Sequence, residues 1–289
     1  MSLFGELDEL EQLTVETAKV AVGDASDGKS TSAPVTETKA PVETKAPESK
    51  VTTQIFFSQN HQDDFVSFYL SEVLKLDIRS MGKNGKFVDV GTSDGRENNN
   101  TFHFERFLQW EGLCIDANPD VAKAMPNTRS CKLFNGAAYD SDGKTKFMKI
   151  DGYSSSLSGI VSDMQIPHRE RIDKEIKIHG GKQTLIDVET AMIQSLMDTL
   201  EWKHVNYMSI DTCGSELKVL KGIDFHRTSV DIFTIDMNSG RDTDNMLIFM
   251  SERGYSRLLR MGNDDVYIKT GMVDVALRVM TEKGLIKKG

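Results

Sequence analysis

Residues 87 to 95 read FVDVGTSDG, and this stretch decides the predicted fold. A short apolar run carries an acid near its end, Asp89, and a turn with Gly91 and Gly95 follows it. Glycine adopts backbone angles that other residues avoid, and it leaves room for a ligand beside the main chain. A second apolar run, Gly112 to Asp116, ends in an acid roughly 20 to 25 residues further on, where nucleotide-binding folds place a ribose-binding carboxylate. The two segments together predict a nucleotide-type cofactor site.

Strand-like and helix-like segments alternate after residue 53, as in a parallel sheet with helices on both faces. Seven strands are predicted, near Lys86–Val90, Leu113–Asp116, Lys132–Ala137, Asn206–Ile210, Asp231–Asp236, Ser256–Arg260 and Asp265–Lys269. Helices are predicted between them, near Asn100–Trp110, Pro119–Met125, Ser215–Lys221 and Thr243–Arg253. The predicted fold class is therefore α/β, a Rossmann-like doubly wound sheet of seven strands.

The N-terminal extension has a different composition. Between residues 1 and 20, apolar side chains recur at helical spacing among acids, which predicts either a short amphipathic helix that docks on a protein partner or a frayed acidic tail. Residues 21–52 are rich in Ser, Thr, Ala, Pro, Lys and Glu. Such a segment buries too little apolar surface to offset its ordering entropy, so we expect a disordered linker.

Composition excludes several classes of protein. The net charge of -9 argues against a broad nucleic-acid interface. No stretch has the ~20 apolar residues of a membrane span. Cys114, Cys131 and Cys213 lack the paired spacings of zinc sites or disulfide frameworks. We therefore expect reduced thiols in a cytoplasmic protein.

Seven ordered blocks resemble the FkbM family of S-adenosylmethionine-dependent methyltransferases. They are SQNHQDD (58–64), FVDVGTSDGRENNNTFHFE (87–105), WEGLCIDANPD (110–120), FNGAAYD (134–140), SSLSG (155–159), YMSIDTCGSELKVLKGID (207–224) and FTIDMN (233–238). The resemblance implies a methyltransferase domain over residues 53–271, followed by a C-terminal helix or tail at 272–289. It also implies methyl transfer to an oxygen of a sugar, a glycan or a small hydroxylated natural product.

The resemblance and the cofactor's chemistry together select the cofactor-binding candidates. The pocket needs carboxylates, small residues and an apolar slot. Asp116 is expected to accept the ribose hydroxyls, and Asp89 to orient the glycine turn or meet the amino group; either acid alternatively caps a helix. The full set is Asp89, Gly91, Asp94, Gly95, Asn100, Asp116, Ala117, Asn135, Ala137 and Asp211.

Catalysis is predicted at Ser209 to Glu216, SIDTCGSE. Methyl transfer to a hydroxyl needs a base, or a metal that lowers the hydroxyl pKa. Asp211 is the candidate base with Glu216 as helper, although a first-turn acid such as Glu216 also stabilises a helix by itself. Cys213 replaces the family's usual second acid. No metal is predicted; if a divalent ion is present, Asp211 and Asp236 are its candidate ligands.

A polar insertion, residues 151–180, interrupts the strand pattern and predicts a lid or an acceptor-binding element. His168 is a second candidate base. Arg169 and Arg171 are candidates for binding a phosphate or carboxylate of the acceptor, and a solvated helix face is the alternative for all three. Asp236 and Asn238 are expected to approach the same site.

Two other functions remain open. Cys213 and the N-terminal extension are compatible with a catalytically silent, cofactor-binding scaffold tethered to a partner. A nicotinamide-dependent dehydrogenase shares the glycine turn and strand-end acid, but the turn lacks the spacing of three glycines that dinucleotide enzymes use.

Overall fold

The computed structural model describes residues 56–237 and 243–287. The predicted docking helix at 1–20, the predicted linker at 21–52 and Asn238 lie outside the described residues. The expectations for these segments therefore stay predictions.

The predicted seven-stranded sheet is confirmed. Its strands are β1 (Lys86–Val90), β2 (Glu111–Asp116), β3 (Lys132–Asn135), β8 (His204–Ile210), β9 (Ser229–Asp236), β10 (Tyr255–Met261) and β11 (Asp264–Lys269). They lie in the order β10-β11-β9-β8-β1-β2-β3. The five strands from β9 to β3 are parallel, and the β10–β11 hairpin adds an antiparallel edge. Central strands such as β8 are buried along nearly their whole length, which is why they read as apolar runs.

The order of the strands reverses between β1 and β8. From β1 the chain proceeds to β2 and β3 on one side, and β8 leads to β9 on the other. The register pairs Val90 with Ile210, and the amide of Asp211 donates to the Val90 carbonyl at 2.9 Å. The turns after β1 and β8 therefore meet at this reversal, where open α/β sheets bind their ligands.

Helices cover the sheet. Those described are α1 (Gln62–Phe68, continued by a π-helical turn at Tyr69–Val73), α2 (Phe102–Arg106), α3 (Pro119–Ala124), α4 (Ile166–His179), α5 (Ile193–Thr199), α6 (Glu216–Lys221), α7 (Thr243–Glu252) and α8 (Val273–Glu282). The predicted helix at Asn100–Trp110 is shorter than expected. It ends early because Gln109 has a left-handed backbone (φ 58°) and the Trp110 amide turns back to the Phe104 carbonyl.

A second sheet, which the sequence did not predict, occupies the region around the expected insertion. It consists of β4 (Ala137–Ala138), β5 (Gly143–Ile150), β6 (Gly159–Ile160) and β7 (Gln183–Ala191), in the order β4-β7-β5-β6. The ion pairs Lys144–Glu189 and Lys146–Asp187 join β5 to β7 on an exposed face. Strands with so many charged side chains lack the apolar alternation that predicts a strand. Helix α4, which lies within the expected insertion, packs Ile172 in one apolar cluster with Ile150 of β5.

The prediction of reduced thiols is wrong for two cysteines. Cys114 in β2 and Cys131 just before β3 form a disulfide, with their α-carbons 6.2 Å apart, whereas Cys213 is free. Parallel pairing of β2 with β3 brings the two cysteines together despite a separation of 17 residues. Disulfides persist mainly in oxidising compartments, so the cysteines do not support the predicted cytoplasmic location. Within the described ranges, no helix is long and apolar enough to cross a membrane.

Candidate functional site

Two adjoining cavities open at the reversal between β1 and β8. The large cavity has a volume of about 430 Å³ and the small cavity about 110 Å³. Both are lined by the same five residues, which we call the junction: Gly91, Ser93, Ser156, Asp211 and Cys213. A ligand that extends through the junction would therefore contact both cavities.

The small cavity combines an apolar slot with one carboxylate. Ala117, Ala137, Phe147 and Ile160 line it and belong to one apolar cluster. The two carboxylate oxygens of Asp116 accept hydrogen bonds from the amides of Ser93 (2.9 Å) and Asn118 (2.8 Å). Burial raises the pKa of Asp116 to about 6. A flat apolar group with a neighbouring pair of hydroxyls fits these walls.

Gly91 and Asp211 approach each other so closely that only glycine fits between the two turns. Gly91 has φ +82°, and a β-carbon at this position would lie 1.7 Å from the carbonyl oxygen of Asp211. The amide of Gly91 also donates to the Ile115 carbonyl at 2.9 Å. The glycine thus fixes the spacing of the turns after β1, β2 and β8.

Asp89 lines the large cavity and belongs to a buried network. Its Oδ2 accepts from the side-chain amide of Asn99 (2.9 Å) and the hydroxyl of Thr101 (2.8 Å). Arg129 lies 3.6 Å from the same oxygen, pairs with Glu105 and donates to the Asn99 side chain at 3.0 Å. These bonds tie Asp89 to the loop after β1, and both of its expected roles stay predictions.

The catalytic candidates differ in how they are bonded. Asp211 is accessible from both cavities. Protein atoms around its carboxyl exclude much of the bulk water, and this desolvation, followed by the charges of Asp236, Asp264 and Glu216, raises the pKa of its carboxyl well above the ordinary value. Glu216 is buried, and its Oε1 accepts from the amides of Thr212 and Gly214, each at 3.0 Å. The Glu216 carboxylate thus holds the turn after β8, which favours the structural alternative over a role as catalytic helper.

One group of carboxylates has the proximity that a cation site requires. Oxygen atoms of Asp211, Glu216 and Asp236 lie within 4.8 Å of one another. This includes both predicted metal candidates, Asp211 and Asp236, and Asp236 also lines the large cavity. Such clusters are common without an ion, so a metal requirement stays open.

Helix α4 forms one wall of the large cavity through Gln165 at its start, Pro167, His168 and Arg171. His168 Nε2 lies 2.9 Å from the carbonyl oxygen of Leu157. Since a carbonyl only accepts, Nε2 carries a proton, and Nδ1 is the unprotonated nitrogen of the neutral ring. Arg169 instead donates to the Val161 carbonyl at 2.6 Å, and it does not line the cavity.

Comparison with known proteins assigns the family. The family model described as the methyltransferase FkbM domain matches residues 89–257, more than half of the chain. The chain belongs to the FkbM methyltransferase family. The predicted resemblance is confirmed, and S-adenosylmethionine is the cofactor that the family implies.

Two solved structures are similar to this FkbM protein. One is the methyltransferase FkbM from Methylobacillus flagellatus KT, with 14% identity, a TM-score of 0.40, and coverage of 69% of this chain and 47% of that chain. The other is precorrin-6y C5,15-methyltransferase from Geobacter metallireducens GS-15, with 9% identity, a TM-score of 0.33, and coverage of 71% and 86%. The chain thus spans about half the length of the first structure. No curated protein matches it.

The residues at the cavities suit the family's cofactor. The small cavity has an apolar slot and the Asp116 carboxylate, the kinds of group that an adenine and a ribose need. The acids Glu97, Asp211 and Asp236 line the large cavity, and negative charge there favours a sulfonium cation. The residues present therefore fit S-adenosylmethionine.

Of the other predicted cofactor residues, one lies at the large cavity and three lie outside both cavities. Asn100 lines the large cavity and donates to the Ser209 hydroxyl at 3.1 Å. Three lie outside both cavities: Asp94 caps the loop by accepting from the Arg96 amide, Gly95 packs against Met125, and Asn135 donates to the Asp116 carbonyl at 3.0 Å. Their predicted role in cofactor binding would have to be indirect.

Sequence reasoning missed Glu97, Asn98 and Asn99, which line the large cavity, and also Arg129 and Asp264, which support the site from outside both cavities. Asp264 accepts from Gln62 (3.0 Å) and Asn100 (3.3 Å), which ties the β10–β11 turn to the loop after β1. Arg129 follows a short 3-10 turn and has no periodic pattern around it. Only its proximity to the resemblance blocks could have drawn attention to it.

Proposed function

We propose that the protein transfers a methyl group from S-adenosylmethionine to a hydroxyl of a sugar, a glycan or a small hydroxylated natural product. The observation that supports this most is the shared junction of two unlike cavities. The small cavity is an apolar slot with a carboxylate, and the large cavity is lined by neutral amides and hydroxyls, among them Gln59, Asn98, Gln165 and Ser156. Such groups suit an acceptor with several hydroxyls.

Asp211 is the proposed base because it belongs to the junction. Bound S-adenosylmethionine would supply an electrophilic methyl group on a positively charged sulfur. The Asp211 carboxylate would take the proton of the acceptor hydroxyl while the hydroxyl oxygen bonds to the methyl carbon; the S–CH3 bond breaks and its electron pair stays on sulfur, which leaves S-adenosylhomocysteine. Positive charge in the cavity opposes the raised pKa of Asp211 and favours the carboxylate form that can accept a proton.

His168 and Glu216 take supporting places in this proposal. His168 lines only the large cavity, and in this proposal its Nδ1 accepts a hydrogen bond from the acceptor or takes the proton in place of Asp211. Glu216 keeps the turn that carries Asp211 in position through its hydrogen bonds to that turn.

The first test is calorimetry on the 289-residue chain with S-adenosylmethionine, S-adenosylhomocysteine and NAD. We expect the two sulfur compounds to bind and NAD to leave no signal. A folded protein that binds neither sulfur compound would contradict the proposed function.

The second test separates binding from chemistry. Asp211→Asn should lower methyl transfer about 10²-fold or more, while affinity for S-adenosylhomocysteine changes little. Turnover at the normal rate would remove Asp211 from the mechanism.

A silent scaffold is the second candidate, because Cys213 lies at the junction where the family usually has an acid. It predicts cofactor binding without transfer to any hydroxylated acceptor, with or without Mg²⁺. In that case Cys213→Glu should create transfer activity.

A further inference from the structure

Arg171 is a positive charge in a cavity with otherwise neutral and acidic walls. Among the residues that the structure describes, it is the one Lys or Arg that lines either cavity. It lies in α4, one turn after Pro167 and His168, which line the same cavity. The face of α4 that bears Arg171 is therefore the face toward the acceptor space.

Among the described residues, the guanidinium of Arg171 has no hydrogen-bond or ion-pair partner. Within residues 56–237 and 243–287, no carboxylate lies within 4.0 Å of it and no hydrogen bond engages it. Arg129 and Arg169 differ from it. Arg129 is buried in an ion-pair network, and Arg169 donates to the carbonyls of Val161 and Met164. Arg171 thus keeps its donors available for a ligand.

The charge of Arg171 acts at the junction. Burial and the acids Asp211, Glu216 and Asp236 raise the pKa of the Cys213 thiol, and Arg171 opposes this shift. Arg171 and Cys213 also line the same cavity, so the guanidinium faces the space into which the junction opens. A group bound by Arg171 would lie in the cavity that holds the acceptor hydroxyl.

We propose that the acceptor carries an anionic oxo group, a carboxylate or a phosphate, and that Arg171 binds it next to the hydroxyl that is methylated. This inference rests on the proposed function. A guanidinium presents parallel N–H groups that match the two oxygens of a carboxylate or phosphate, whereas a neutral sugar offers no such partner. The acceptor class is accordingly a uronic acid or a sugar phosphate.

The test uses the 289-residue chain saturated with S-adenosylhomocysteine, and glucose, glucuronate and glucose 6-phosphate as probes in calorimetry. We expect one of the two anionic sugars to bind about 10- to 100-fold more tightly than glucose. The better of the two identifies a carboxylate or a phosphate. Arg171→Met should abolish this preference, and Arg171→Lys should keep part of it.

Arg169→Met is the matched control, because it removes a guanidinium from the same helix without touching the large cavity. It should keep the preference for the anionic sugar. Since Arg171 is exposed, its variants should melt at the wild-type temperature, which a thermal scan checks.

Three results would overturn the inference. The first is that glucose binds as tightly as the anionic sugars, and the second is that neither anionic sugar binds the saturated wild-type protein. The third is that Arg171→Met weakens the binding of S-adenosylmethionine and S-adenosylhomocysteine, which would assign the guanidinium to the cofactor carboxylate. Failure of the wild-type protein to bind S-adenosylhomocysteine is a separate outcome and contradicts the proposed function itself.

Discussion

The guanidinium of Arg129 lies 3.6 Å from the Asp89 carboxylate, and both side chains are almost completely removed from solvent. Arg129 also donates to the Gly95 carbonyl at 2.9 Å and to the Thr101 hydroxyl at 2.9 Å. One side chain from the segment before β3 thereby holds both ends of the loop after β1. The loop that the sequence identifies as the cofactor turn depends on a residue outside it.

Arg129→Met should destabilise the protein severely. The variant leaves Asp89 and Glu105 buried without their counter-charge, and breaking a buried pair in this way costs about 3–5 kcal/mol. Urea unfolding followed by circular dichroism measures the change. Lys144→Met, which breaks the exposed pair with Glu189, is the control and should unfold like the wild type. Equal midpoints for the two variants would contradict the buried network.

Gly91→Ala and Gly254→Ala form a matched pair. The two glycines have nearly the same φ, +82° and +79°, but a β-carbon meets the Asp211 carbonyl at Gly91 and nothing within 4 Å at Gly254. Gly254→Ala should lower the free energy of unfolding by about 1–2 kcal/mol, because alanine disfavours a left-handed backbone. Gly91→Ala should cost more and should also abolish S-adenosylhomocysteine binding, because the turn after β8 must move. Similar free energies of unfolding for the two variants, with S-adenosylhomocysteine binding retained, would show that the turns after β1 and β8 accommodate a β-carbon at position 91.

Cofactor affinity should fall at acidic pH because of Asp116. Burial raises its pKa from 3.8 to about 6, so the folded protein protonates this carboxyl at a pH where the unfolded chain does not. The free protein therefore gains stability from Asp116 as the pH falls through 6, while the charged acceptor for the ribose hydroxyls is lost. The dissociation constant for S-adenosylhomocysteine should rise about tenfold per pH unit well below 6.

Calorimetry between about pH 5 and about pH 8 measures this dependence. The Asp116→Asn variant should bind S-adenosylhomocysteine weakly over the whole pH range, and its affinity should not depend on pH. The Asp94→Asn variant should keep the pH dependence of the wild type, since Asp94 lies in neither cavity. An affinity of the wild-type protein that is unchanged down to about pH 5 would exclude Asp116 as the titrating ligand.

The Cys114–Cys131 disulfide should respond to reductant. The double variant Cys114→Ser/Cys131→Ser should lose about 3 kcal/mol of unfolding free energy, as expected for a loop of about 15 residues. Dithiothreitol should produce the same loss in the wild type and none in the double variant. Cys213→Ser should behave like the wild type under both conditions. Identical wild-type unfolding curves with and without dithiothreitol would be inconsistent with the bond.

The main sheet was predictable because its strands are covered on both faces. β1 and β8 are apolar over most of their length, so they stand out from the helices around them. β5 and β7 carry cross-strand ion pairs on an exposed face, and such strands resemble loops in composition. The disulfide was missed for a related reason, since only the β2–β3 pairing brings its cysteines together.

The candidate site was predictable where it follows from strand ends. Gly91, Asp116 and Asp211 come directly after or at the end of neighbouring parallel strands, and the structure places all three at the cavities. Their catalytic and binding roles stay predictions. Arg129 and Asp264 reach the same loop from the segment before β3 and from the β10–β11 turn, which no local pattern reveals.

The short link at Gly136 limits how this protein can be re-engineered. The Gly136 amide bonds to the Asp116 carbonyl, and the chain passes directly from β3 of the main sheet into β4 of the second sheet. Residues 137–191 thus carry Ala137, Phe147 and Ile160 of the small cavity as well as α4. A chimaera that exchanges this segment as a cassette to change the acceptor would replace part of the adenine slot as well. Acceptor libraries are better confined to the face of α4.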